Sequence, residues 1–296
     1  MGERRSRELG GASRATRENP PKNTASAPRT VAYRNRLTAG GDTQSMDEFR
    51  VDPHVKVLDE GVVERAKARG LDAVVYAPHF TRLPRVEARA ERFSDDELLV
   101  VPAREVFTGN WRNRKHVLAV GLTDPVPDFI TLEAAMAAFD RQDAAVLVPH
   151  PEFATVSLEA NDLRAHRERI HGIEVYNPKH LGVHNDRARE LAREFDLPAF
   201  GSSYAHLPGT VGEVWTAFEE RYESAEALVE ALKAGSPSEV YHRDGAGHRL
   251  RCLAEVGHLV SENTWGKLDR LFLSGTEPTH PGHVAYDGAF ADVSVY

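Results

Sequence analysis

The chain has 296 residues, 41% of them hydrophobic and 28% charged. That is enough to bury a full core as one large domain or two smaller ones. No apolar run approaches the roughly 18 residues of a membrane helix, and a single cysteine, Cys252, excludes a disulfide framework or a Cys-rich zinc module. A reducing cytoplasm is the compartment such a composition suits.

The net charge of −8 hides a split. Residues 1–45 hold nine Arg or Lys against four acidic residues, so they are net +5 and the rest is −13. An acidic body disfavours long nucleic acid as a partner. The first 45 residues lack apolar periodicity and read as a disordered basic tail. Met46 opens the alternating pattern and reads as the true start. All 14 histidines lie at or after His54.

From Met46 short β-rich runs alternate with helical stretches. Phe49–Val55 reads as a strand and Glu60–Arg69 as a helix ended by Gly70. Asp72–Tyr76, Glu97–Val101 and Lys115–Val120 read as strands, and Leu132–Arg141 as a helix. Ala144–Val148, Gly172–Tyr176 and Leu197–Phe200 continue the strands. Asp162–Arg169, Asn185–Phe195 and Ser224–Ala234 continue the helices, the last opened by an N-cap serine. Apolar runs of four to six residues suit strands buried on both faces of a parallel sheet. Seven or so βα units over about 190 residues favour an α/β barrel over an open sheet. No GxGxxG follows a strand, so a dinucleotide site has no support. Residues 46–235 therefore form the expected barrel. Residues 236–296 form a C-terminal extension, with one more strand and helix before an aperiodic Gly-, Pro- and His-rich end.

Barrel chemistry sits at the carboxyl ends of the strands. His54 ends the first strand, His79 follows the second, and Glu105 follows the Glu97–Val101 run. His116 opens the Lys115–Val120 strand. His150 and His206 follow the strands at Ala144–Val148 and Leu197–Phe200. Imidazole and carboxylate ligate Zn, Mn or Fe, and one carboxylate can bridge two ions. Pro78 and Pro149 hold the chain extended just before His79 and His150.

These residues resemble the motifs of the PHP (polymerase and histidinol phosphatase) superfamily, over about Phe49 to Gly212. Asp52-Pro53-His54-Val55-Lys56 stands where that family opens D-L-H-x-H. Gly70-Leu71-Asp72-Ala73 and Ala77-Pro78-His79 match G-L-D-A and T-D-H. Pro102 to Glu105 matches I-P-G-x-E, His116 to Ala119 matches H-V-L-G, and Pro149-His150-Pro151 matches A-H-P. Gly172 to Asn177 is G-I-E-V-Y-N unchanged, and Ser202 to Pro208 meets G-S-D-A-H-x-P.

The resemblance implies a distorted (β/α)7 PHP-type barrel carrying a metal-dependent phosphoesterase site. His54, Glu105, His116 and His150 are the implied metal ligands, for one or two divalent ions. Two positions depart from the family pattern. Lys56 stands where a second histidine is expected, and Tyr204 where an aspartate is expected. Lys56, Tyr204, His79 and His206 are the candidate catalytic groups, with His79 or His206 as proton donor to a leaving oxygen. Arg82, Arg112 and Arg114 are the candidate phosphate contacts.

The expected substrate is a small phosphorylated metabolite or nucleotide. Two other readings stay open: a non-catalytic PHP-like protein with a degraded site, and an amidohydrolase-type C–N hydrolase. No membrane partner is expected, and no feature of the sequence sets an oligomeric state.

Overall fold

The computed structural model describes residues 48–110, 113–153, 156–258 and 278–295. The basic tail and Arg112 lie outside the described residues. All described residues belong to one compact unit, Val31–Tyr296. Among them, no helix is long and apolar enough to cross a membrane.

The elements follow the expected alternation. They run β1 (Phe49–Val55), α1 (Glu60–Ala68), β2 (Ala73–Tyr76), α2 (Leu83–Phe93), β3 (Leu99–Thr108) and β4 (Lys115–Val120). Then come α3 (Leu132–Arg141), β5 (Ala145–Val148), α4 (Ala160–Ala165), β6 (Gly172–Tyr176), α5 (Gly182–Glu194) and β7 (Ala199–Gly201). The chain continues through β8 (Val214–Phe218), α6 (Ala225–Ala234) and β9 (Ser238–His242). Helical residues 246–258 form α7.

Local chemistry sets the helix ends. The Asp59 carboxylate accepts from Val62 N at the start of α1. Thr131 and Ser224 cap α3 and α6 in the same way, and Gly235 closes α6 at φ 62°. The apolar face of α3, from Ala135 to Phe139, packs on Val146, Val148, Ile173 and Leu191. Strands β2 and β5 are buried at every residue, as their unbroken apolar runs require.

The nine strands form one sheet in the order β7-β6-β5-β4-β3-β2-β1-β8-β9. The sheet curls until β7 meets β8: Gly201 N donates to Thr216 Oγ1, which donates back to Gly201 O, both at 3.0 Å. A Cβ on Gly201 would lie 2.3 Å from Val240 Cγ1, so the near-closure needs glycine there.

The barrel is as expected, but its strand directions are mixed. The β1–β8, β3–β4, β4–β5 and β8–β9 pairs are antiparallel. Reversal at β3–β4 follows from length. A ten-residue β3 carries Glu105 inside the strand, and six successive residues pair back onto β4. Helix α2 and strand β8 have no counterpart in the sequence reading. Only Leu83, Val86 and Ala90 of α2 are buried, a thin apolar stripe among charges. The C-terminal residues pack on the barrel through Asp128 N to Thr279 O and Val295 N to Phe129 O.

Helix α7 is held by two buried carboxylates. Glu213 accepts from His248 Nδ1 and from Arg251 Nε, each at 2.8 Å. Glu255, on α7 itself, accepts from His206 N, from Leu207 N at 3.2 Å and from Thr210 Oγ1 at 2.6 Å.

His248 is pushed up from 6.5 to about 9, first by its hydrogen bond with Cys252 and then by Glu213. Its folded pKa exceeds its unfolded one, so the stabilisation is whole below about pH 6.5 and fades as pH rises through about 9. Urea unfolding should show the His248 contribution to stability falling as pH rises across that window. The His248→Gln protein should lose this contribution to the pH dependence.

Candidate metal centre

Glu105 sits inside β3 with no exposed surface. A carboxylate buried this deeply must be paired or ligated. Its two oxygens divide the work. Oε2 meets Lys56 Nζ at 2.6 Å and His79 Nε2 at 2.8 Å. Oε1 meets His150 Nε2 at 3.1 Å, His116 Nδ1 at 3.3 Å and His54 Nε2 at 3.7 Å. Every candidate metal ligand and the candidate Lys56 thus gather on one carboxylate.

The elements supply these groups in order. His54 is the penultimate residue of β1, and Lys56 follows that strand. His79 and His150 lie in the loops after β2 and β5, and His116 is the second residue of β4. Phe80, His150 and Tyr204 take positive φ, at 48°, 33° and 48°. Non-glycine residues pay for that conformation, and here the strained positions sit at or beside the cluster.

A second layer fixes the first. Ser157 Oγ lies 3.1 Å from His150 Nδ1. Phe107 stacks on His116 at 3.8 Å with the rings 2° from parallel. Glu174 accepts from His150 N at 2.7 Å and Asn177 Nδ2 at 3.2 Å. Asp52 accepts from Ser203 N and Gly212 N, tying β1 to the loop that carries Tyr204. Burial pushes the Asp52 carboxyl up to about 6.

Electrostatics keep Glu105 ionised. Burial pushes its pKa up, but the Lys56 ammonium opposes that and holds it well below the usual carboxylate range. Burial pulls Lys56 down to about 8 against the opposing pull of Glu105. Burial and then Lys56 hold His54 and His79 well below 6.5, so both are neutral. Neutral imidazoles around an ionised carboxylate are the protonation states a divalent cation needs.

The residues fit a metal ion. Ligand atoms from Glu105, His116 and His150 all lie within 4.8 Å of one another. Both ring nitrogens of His54 and Nε2 of His116 are buried without a hydrogen-bond partner. Each orphaned nitrogen costs about 1–3 kcal/mol unless something ligates it.

The structure also enlarges the candidate list. Lys179, unremarked in sequence, reaches the Tyr204 carbonyl, His206 Nδ1 at 3.2 Å and Glu255 Oε1 at 3.1 Å. Its Nζ lies 4.2 Å from the Tyr204 ring centre. Tyr204 packs 4.7 Å from both His54 and His206, ring to ring. An open cleft of about 190 Å³ is lined by Lys56, Val57, Pro78, His79, His206 and His258. That volume suits a phosphoryl group rather than a whole drug-sized ligand.

The arginines are less uniform. Arg114 stands 5.9 Å from the ring centres of Phe107 and Phe129, one ring removed from His116. Arg82 is exposed at the N-cap of α2 and makes no hydrogen bond to the cluster. His180 stacks on Phe153 at 4.1 Å and lies 6.3 Å from His150.

A family model described as PHP-associated matches residues 182–237, the stretch from α5 through α6. PsfC from Pseudomonas syringae PB-5123 superposes with a TM-score of 0.56 at 19% identity, over 73% of this chain and 99% of that one. That likeness is one of fold. The barrel also matches the lesion-specific endonuclease PfuEndoQ from Pyrococcus furiosus, with a TM-score of 0.50 at 16% identity. That match covers 65% of this chain and 57% of the endonuclease. No curated protein matches the chain in sequence.

Among the described residues, Lys56 is the one fixed cation on Glu105. Lys56→Met removes it and leaves a buried charge without its partner. In chelator, chemical unfolding should show this variant about 3–5 kcal/mol less stable than the parent chain. Added Mn²⁺ or Zn²⁺ should restore part of the loss.

Proposed function

We propose that the chain is a metal-dependent phosphoesterase that holds a single divalent ion, with Lys56 supplying the second positive charge. The observation that carries this reading is the division of Glu105. One oxygen faces three imidazoles, and the other is taken by Lys56 and His79. Glu105, His116 and His150 would hold the ion, with His54 3.7 Å from the shared oxygen. Bound there, Zn, Mn or Fe supplies Lewis-acid polarisation of a phosphoryl oxygen and lowers the pKa of water.

The chain's own groups do the rest. Lys56 lines the cleft and brings its ammonium toward the charge that develops on the equatorial phosphoryl oxygens. Lys179 adds a second ammonium behind Tyr204. His206 lines the same cleft, and its Nδ1 is held between the Tyr204 carbonyl at 3.0 Å and Glu255 at 3.5 Å. The Glu255 carboxylate and the Lys179 ammonium, 3.2 Å from the same Nδ1, together orient the ring toward the cleft. His206 is therefore the group placed to carry the leaving-group proton. His79 is tied to Glu105 and serves to position that carboxylate. Tyr204 fills space between His54 and His206 and keeps water from the buried imidazoles.

The small cleft favours a small phosphate monoester. The barrel shared with a lesion-specific endonuclease makes a nucleic-acid phosphodiester the second substrate class to test. A phosphatase screen with Mn²⁺, extended to a short oligonucleotide, decides between them. Metal analysis of the same preparation should give one ion per chain. Glu105→Gln should lose both ion and turnover. Lys56→His with Tyr204→Asp should raise the metal content. A chain that binds no ion and hydrolyses nothing would support the non-catalytic reading.

A further inference from the structure

Glu213 is fully buried, and it faces more cations than one carboxylate can neutralise. It accepts from Arg65 Nη2 at 2.8 Å, Arg69 Nη2 at 2.9 Å, Arg251 Nε and Nη2 at 2.8 and 3.1 Å, and His248 Nδ1 at 2.8 Å. A fourth guanidinium, Arg243, donates Nε to the neighbouring Gly212 carbonyl at 3.3 Å and lies over the Trp215 ring. Four guanidinium groups against one carboxylate leave three surplus positive charges, before His248 is counted.

Fastening α7 to α1 needs far less. Like charges packed this closely repel one another, and the repulsion is weakly screened where they are half-buried. Arg69 registers the strain: burial, then Arg243 and Arg65, draw its guanidinium down to about 10. Its Nε is buried with no hydrogen-bond partner. The background makes the surplus sharper, because residues 46–296 carry a net charge of −13. The cluster is also reachable, since the side chains of Arg65, Arg69 and Arg251 keep 25%, 18% and 34% of their surface exposed.

We propose that Arg65, Arg69, Arg243 and Arg251 form a binding site for a phosphate-type oxyanion, separate from the metal cluster. Guanidinium groups suit this ligand, because each offers a planar pair of donors to two oxygens of a tetrahedral anion. An anion here would offset the repulsion and give the spare donors a partner. Arg251 lies one helical turn from Glu255, which holds the backbone of His206 and Leu207. The site therefore flanks the cleft on the same helix. Its ligand is free phosphate or the phosphate of a larger molecule.

Calorimetric titration with inorganic phosphate at constant ionic strength tests the site on the full chain. Saturable binding is expected for the parent protein. Arg243→Gln should weaken it roughly tenfold, the size of one charge-assisted hydrogen bond. Arg243 bonds the Gly212 carbonyl rather than Glu213, so its loss leaves the hub in place. With chelator present to keep the metal cluster empty, Glu105→Gln should leave phosphate binding unchanged, which separates this site from the metal cluster. A short oligonucleotide without terminal phosphate that competes with phosphate would identify a nucleic-acid backbone as the source. Failure to compete would identify free phosphate or a monoester. The proposal is overturned by no saturable phosphate binding. It is equally overturned by binding unaltered in Arg243→Gln and Arg69→Gln, or by binding lost in Glu105→Gln.

Discussion

A carboxylate with no exposed surface sets the terms for this barrel. Glu105 is ionised inside β3, and removing such a charge from water costs several kcal/mol before any partner repays it. Partners must therefore arrive from all sides. Five do so, from β1, β4 and the segments that follow β1, β2 and β5. The strained φ angles at Phe80, His150 and Tyr204, and the Asp52 and Glu174 hydrogen bonds, all serve to bring side chains to that point.

The same constraint explains why Lys56 matters. It gives Glu105 an internal counter-ion that does not depend on metal supply. One oxygen is neutralised by the chain, and the other is left facing imidazoles. Two of those imidazoles have buried nitrogens with no partner. A fully decayed site would have little reason to keep such costly groups, since orphaned buried donors and acceptors destabilise the fold. The arrangement reads as half-filled by design, with the chain's own cation on one side and room for a metal on the other.

Much of this was legible in the sequence. His54, His79, Glu105, His116, His150 and His206 could be placed near strand ends because four- to six-residue apolar runs mark buried strands and the chemistry follows them. The departure of Lys56 from the motif that the sequence resembles was visible as well, since the neighbouring motif residues fixed its position. Other features left no such trace. The antiparallel return from β3 to β4 depends on β3 running on through Glu105, and a charged residue in a strand breaks the apolar signal. Helix α2 hides behind its charges. Lys179 and Glu255 stand 76 residues apart, so only the fold shows that they meet beside His206. The Glu213 hub is similar, because its arginines come from α1, α7 and the end of β9.

The central claim is one ion on one oxygen of Glu105, with Lys56 retained on the other. Anomalous X-ray scattering from crystals grown with Mn²⁺ or Zn²⁺ tests it directly. The account predicts a single peak among Glu105, His116 and His150, with Lys56 still bonded to the second oxygen. A second peak displacing Lys56, or no peak at the cluster, would contradict it.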